Sequence, residues 1–140
     1  HAVATSPERR GQLDKNLPAA LHGTVPPLCT DGNVRLADIP DGSLDGALLF
    51  DVLQHVDDWS GLFDNVARCM SRGAMLFVNA SELSHPGRVD MNRLHHELAR
   101  AGFSVRRTLE ARVMHNDHMS YERIYVCRLE EVPHRRAVSA

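Results

Sequence analysis

The stretch Asp41-Gly42-Ser43-Leu44-Asp45-Gly46-Ala47-Leu48-Leu49-Phe50-Asp51-Val52-Leu53-Gln54-His55-Val56-Asp57-Asp58 decides how this chain is read. Asp41-Gly42-Ser43 is turn chemistry, since aspartate and serine side chains bond nearby backbone and glycine accepts unusual dihedrals. The run Leu44–Phe50 that follows reads as a buried strand. Asp51, Gln54 and His55 then arrive at its carboxyl end, and Asp57 or Asp58 can cap the next helix.

Working outward, Leu62, Phe63, Val66, Ala67 and Met70 keep a helical period, and Arg72-Gly73 reads as the stop. Ala74–Val78 is the next strand, and Asn79–Arg88, with Pro86-Gly87, reads as a loop. Asp90 opens a helix whose apolar face is Met91, Leu94, Leu98 and Ala101, and Gly102 ends it. Phe103–Val113 and Tyr121–Leu129 are strand-like and flank the polar stretch His115–Ser120, which predicts a closing antiparallel hairpin.

Upstream, Ala2–Thr5 is a short strand candidate. Ser6-Pro7-Glu8 reads as a helix opening, with Leu13, Leu17 and Leu21 as its stripe and Gly23 as its stop. Thr24–Thr30 holds Pro26 and Pro27, so it is at best an edge or irregular strand. The alternation of strands and helices predicts an α/β fold: a three-layer α/β/α sandwich with a mostly parallel, Rossmann-like sheet and an antiparallel C-terminal hairpin. Residues 1–132 are expected to form this domain and 133–140 a tail.

The composition of the 140 residues, 43% hydrophobic and 24% charged, is that of a soluble globular domain. With 16 basic and 18 acidic residues the net charge of -2 offers no general attraction to nucleic acid or anionic lipid. The apolar runs Ala47–Phe50 and Ala74–Val78 fall far short of the ~20 residues that span a bilayer, and no charged-then-apolar leader opens the sequence, so a cytoplasmic setting is expected. Cys29, Cys69 and Cys127 suit buried free thiols better than a disulfide framework. His95-His96 and the His115/His118 pair offer too few converging ligands for tetrahedral zinc, so no metal is expected.

The Asp41–Asp58 stretch resembles the fourth-strand motif of class I S-adenosylmethionine-dependent methyltransferases, of the type 11 kind: an aspartate-rich turn leads in and a Leu-x-His-Val-x-Asp segment leads out. Met70-Ser71-Arg72-Gly73-Ala74-Met75-Leu76-Phe77-Val78 is similar to that family's Leu-Lys-Pro-Gly-Gly turn and fifth strand, and Ala101-Gly102-Phe103 to its Ala-Gly-Phe entry into the sixth. Each piece alone is generic turn and cap chemistry. The resemblance rests on three pieces in order, between about Gly23 and Leu129.

The amino-terminal end departs from that pattern. The family's first strand ends in a Gly-x-Gly loop, where only glycine lets the backbone approach the methionine moiety of the cofactor, and no such segment occurs in the sequence. Two alignments of residues 1–30 follow. In the first, Ala2-Val3-Ala4-Thr5-Ser6-Pro7-Glu8 matches the second strand, Ala4 stands where an acid binds the ribose, and the sheet lacks its central strand. In the second, Ala2–Thr5 is itself the central strand of a shortened fold, similar to methyltransferase-like domains of the anamorsin type that lost the glycine loop. The second satisfies the sheet's hydrogen bonds with the residues present and is the arrangement expected.

Ligands of open α/β sheets bind at the carboxyl ends of the strands, so Asp31, Asp51, Gln54, His55 and Asn79 should meet on one rim. The resemblance implies S-adenosylmethionine as cofactor, with Asp31 and Gly32 near the adenine and Phe50, Asp51 and Gln54 lining the site. Asp31 reads more readily as a turn residue, and Phe50 and Leu53, which could flank an adenine, read more readily as core. His55, with an ordinary pKa near ~6.5, is the candidate base for a methyl acceptor, or else it packs against the following helix. Three functions stay open: methyl transfer to a small molecule, a catalytically inactive interaction domain of the same fold with a protein partner, or one piece of a larger enzyme whose upstream segment supplies the first strand. A homodimer through the hairpin end is compatible with any of them.

Overall fold

In the computed structural model the turn Asp41-Gly42-Ser43 forms as the sequence predicts. Gly42 takes φ +65°, where a side chain would be strained, and Ser43 Oγ donates to the Pro40 carbonyl at 2.8 Å. The structure describes residues 2–4, 27–29, 36, 39–50, 52–80, 89–115 and 118–131. The expected first helix and the turn at Asp31-Gly32-Asn33 lie outside them.

The described elements are β1 (Ala2–Ala4), β2 (Pro27–Cys29), β3 (Leu44–Leu49), a 3-10 turn (Leu53–His55), α1 (Trp59–Cys69), β4 (Met70–Ala80), α2 (Met91–Arg100), β5 (Phe103–His115) and β6 (His118–Leu129). Asp58 caps α1 by accepting from the Gly61 amide at 2.9 Å. Asp90 caps α2 by accepting from Asn92 and Arg93. Both bonds satisfy amides that a helix start leaves without a partner. Gly102, at φ +85°, ends α2, and a Cβ there would sit 1.9 Å from the Glu131 carbonyl oxygen.

Four strands form one sheet in the order β3-β4-β6-β5. The β3–β4 pair is parallel, joined through α1, whereas β4–β6 and β5–β6 are antiparallel, so the closing hairpin is present. It is longer than the sequence suggested, because His115 and His118 already pair and only Asn116-Asp117 lies between the strands. Helix α1 is shorter, ending at Cys69 rather than near Gly73. Met70 is drawn into β4 by pairing with Leu44, and Gly73 sits inside the strand at φ +84°.

Side chains alternate across this sheet. One face carries Leu76, Val78, Cys127 and Leu129, each fully buried, and both described helices join the same core through Leu62, Phe63, Leu94 and Leu98. His95 of α2 meets Tyr125 of that face edge-on at 5.3 Å. The opposite face carries Leu48, Phe77, Asn79, Glu122, Ile124 and Leu109, and there Leu48 is 66% exposed. The buried-strand expectation for Leu44–Phe50 therefore needs correction: the strand forms, but it stands at the sheet's edge among the described residues.

The amino-terminal pairing also differs from the arrangement expected. β1 pairs in parallel with β2, as a separate two-stranded sheet, and not with β3. Ala2–Ala4 is thus not the central strand beside β3 among the described residues, and the pairing follows the first alignment. Pro27 is tolerated because it stands at the first position of its strand.

Candidate functional site

The site is built where β3 and β4 end together. Their register pairs Leu49 with Val78, which brings Phe50 and Asn79 side by side just beyond it at the carboxyl edge of the sheet. This is the position at which open α/β sheets receive ligands.

The segment after β3 is pinned from below. The Trp59 indole is 2% exposed and donates from Nε1 to the Leu53 carbonyl at 3.0 Å. The Arg93 guanidinium lies 4.5 Å over that ring, a cation–π geometry, and its Nη2 donates to the Asp57 carbonyl at 2.8 Å. Leu53 is buried to 1% exposure, so the 3-10 turn is anchored through its first residue and carries Gln54, half-buried, and His55, exposed, along the rim. Phe50 is 47% exposed. The core reading thus holds for Leu53 and fails for Phe50, whose strand has no neighbour on that side among the described residues.

Asn79, placed by the sequence in a loop, is instead in β4 and 5% exposed. Its Nδ2 donates to Glu122 Oε2 from the neighbouring strand. Glu122 is only 3% exposed, and its Oε1 accepts from Ser120 Oγ at 3.1 Å. This buried carboxylate was missed in the sequence, although a signal existed: alternation along β6 puts Glu122 on the same face as Ile124 and Val126, where a charge is costly without partners. Of the residues expected at the site, Phe50, Gln54, His55 and Asn79 share the rim. Asp31, Gly32 and Asp51 lie outside the described residues.

The other end of β3 is held by Arg68 of α1. Its guanidinium donates to the Leu36 carbonyl at 2.6 Å and the Ile39 carbonyl at 3.0 Å, and pairs with Asp41. Its pKa is raised, chiefly by the Asp41 hydrogen bond. The Gly42 amide donates to the Arg68 carbonyl at 2.9 Å. The first aspartate of the turn thus fixes where the strand begins. Between the helices, Glu97 accepts from Arg100 at 2.7 Å and from Ser60 at 2.9 Å, and the Arg100 bond leads the lowering of its pKa.

An α/β sheet with polar groups at its strands' carboxyl edge is Rossmann-like in its plan, and similar solved structures share the fold. A S-adenosylmethionine-dependent methyltransferase from Methanosarcina mazei superposes with a TM-score of 0.66 at 13% identity, covering 92% of this chain and 81% of that one. One from Aquifex aeolicus gives 0.71 at 15%, covering 91% and 67%. A cyclase gives 0.69 at 13%, covering 91% and 64%. This chain thus spans between about two thirds and four fifths of those proteins. The model of the methyltransferase domain family matches residues 2–78, more than half of the 140 residues, and the chain belongs to that class I family. No curated protein matches it. Among the described residues no helix is long and apolar enough to cross a membrane.

Proposed function

We propose that the chain is a S-adenosylmethionine-dependent methyltransferase of a small molecule, with the cofactor's adenosine end on the rim after β3. The observation that carries this reading is the joint placement of Phe50, Gln54 and His55 at the carboxyl edge of the sheet. A half-exposed aromatic ring and a half-buried amide on the segment that leaves β3 suit a flat base that also needs hydrogen bonds. Phe50 and Gln54 would face the adenine, with Asp31, Gly32 and Asp51 completing that end.

When bound, the cofactor supplies an electrophilic methyl group on a sulfonium. The chain's own share is to orient the acceptor, keep water out and take a proton, and His55, an imidazole on the rim, is of the side-chain type that most often takes the last role. The balance of charge and the free, buried Cys69 and Cys127 fit a reducing, cytoplasmic setting. Isothermal titration of the chain with S-adenosylmethionine and with its demethylated product tests the reading. Micromolar binding is expected, and absence of heat with both ligands would favour the inactive interaction domain. One similar structure comes from a complex of a methyltransferase with an activator protein from Haloferax volcanii, which makes a protein partner reasonable.

A second reading is favoured by the strand pairing. β1 joins β2 and leaves the apolar edge of β3 open among the described residues. In the first alignment the family's central strand lies between them, and a segment preceding Ala2 would bring both that strand and the glycine loop. On this reading a version extended upstream binds the cofactor, whereas residues 1–140 alone do not. Titrating the two side by side separates the readings.

A further inference from the structure

The hairpin strand β5 closes one end of the sheet, and its outer edge pairs with no other strand among the described residues. Every second residue of such a strand turns its N–H and C=O groups outward, where another chain can pair with them. The register shift between Val105 and Arg107 is a bulge, and from Arg107 to His115 the pairing with β6 runs without a break. Ala111 is the midpoint of that regular stretch. Beyond Ala80↔Arg123, where β4 stops pairing, the hairpin continues as two strands alone among the described residues. A two-stranded ribbon is marginal in water and is steadied by a third strand.

Charged side chains usually keep an exposed edge from pairing with copies of itself, but those at the centre of β5 admit one partner. Glu110 and Arg112 flank Ala111 and, as alternate residues, share one face of the strand. Both are exposed. Glu110 makes no ion pair among the described residues, and the Arg112 guanidinium lies over the exposed Tyr121 ring at 5.3 Å. In an antiparallel pair of β5 strands related by a two-fold axis through Ala111, Glu110 of each copy stands opposite Arg112 of the other. Moving the axis by one residue sets Glu110 against Glu110 or Arg112 against Arg112, like charges directly opposite. The register that uses the whole unbroken stretch is thus also the one that its charges favour.

We propose that β5 is a self-complementary dimerisation edge, at which two copies of this chain pair antiparallel about Ala111 and their sheets join into one. Sedimentation of the full chain at about 100 μM, where a micromolar contact is populated, should show a dimer. Glu110→Arg or Arg112→Glu alone should weaken it at least ~10-fold, because either change turns both cross-strand ion pairs into repulsions. The two changes together exchange the charges and should restore the parent's dimerisation constant to within about threefold.

Cross-linking decides even where a reversed variant does not fold. In a Cys29→Ser background, with Cys69 and Cys127 buried, Ala111→Cys should form a disulfide-linked dimer rapidly on mild oxidation. Residues opposite each other across the axis have Cα atoms about 4.5–5.5 Å apart, within disulfide range. Thr108→Cys, displaced from the axis, should not cross-link. A monomer at the stated concentration would overturn the proposal, as would a dimer indifferent to the single reversals. No recovery in the folded double variant, or equal cross-linking by Thr108→Cys and Ala111→Cys, would do the same.

Discussion

Replacing Trp59 by phenylalanine removes the bond that holds the segment after β3. Phenylalanine keeps a ring under Arg93 but has no N–H for the Leu53 carbonyl. That oxygen then retains only the 3.4 Å bond from the Val56 amide, a loss of about 1–1.5 kcal/mol for a buried acceptor. The missing part of the indole gives up roughly 40 Å² of buried apolar surface, or about 1 kcal/mol at ~25 cal/mol per Å². A weaker cation–π contact adds about 0.5 kcal/mol. The expected destabilisation is therefore about 2.5–3 kcal/mol. Urea unfolding should be followed by far-ultraviolet circular dichroism, since Trp59 is the sole tryptophan and the variant has no indole fluorescence. Cofactor affinity should also fall by more than in Leu98→Ala, a comparably destabilising change in the helical core. A loss below about 1 kcal/mol, or an effect on binding no larger than that of Leu98→Ala, would refute the role given to the Trp59–Leu53 bond.

Other changes test the scaffold. The Arg100 hydrogen bond, as the leading cause, holds the Glu97 carboxylate below its usual pKa, so its stabilisation is present above the unfolded value near ~4.3 and is lost as pH falls through the lower folded value. Melting temperatures should show Glu97→Gln less stable than the parent near neutrality, with the gap closing in acid; a gap constant with pH contradicts this. Burial pushes the Cys127 thiol up to about 12 and raises that of Cys69. In a Cys29→Ser background neither should react with a thiol reagent until the chain unfolds, and rapid native labelling would show otherwise. Gly102→Ala combines a positive φ with a clash against the Glu131 carbonyl and should cost upwards of ~2 kcal/mol in urea unfolding.

Both described helices were legible because their signals are local. Asp58 and Asp90 cap them, and the spacing of Leu62, Phe63 and Val66, or of Leu94 and Leu98, marks their buried stripes. The end of α1 was misjudged at Met70, which continues the helical stripe in sequence yet is claimed by a partner 26 positions away, Leu44. Pairing of that kind overrides propensity and has no local sign. The same holds for Ala2–Ala4, three small apolar residues whose neighbour in the sheet is settled only by the rest of the chain. At the site, the strand-to-turn passage displayed Gln54 and His55 plainly. Glu122 hides in a run that reads as an ordinary hairpin strand, and the core reading of Phe50 fails because its exposure depends on what flanks β3.

The grip of Arg68 on Leu36, Ile39 and Asp41 means that the mouth of the molecule is set from its opposite end. One guanidinium fixes the height at which β3 starts, the strand is a rigid rod, and Phe50 emerges wherever that rod finishes. Lysine could not replace it, since a single ammonium has no planar fork to reach acceptors on two sides. A change at the bottom of the sheet would thus be felt as a displacement at the top, without touching any residue that meets a ligand.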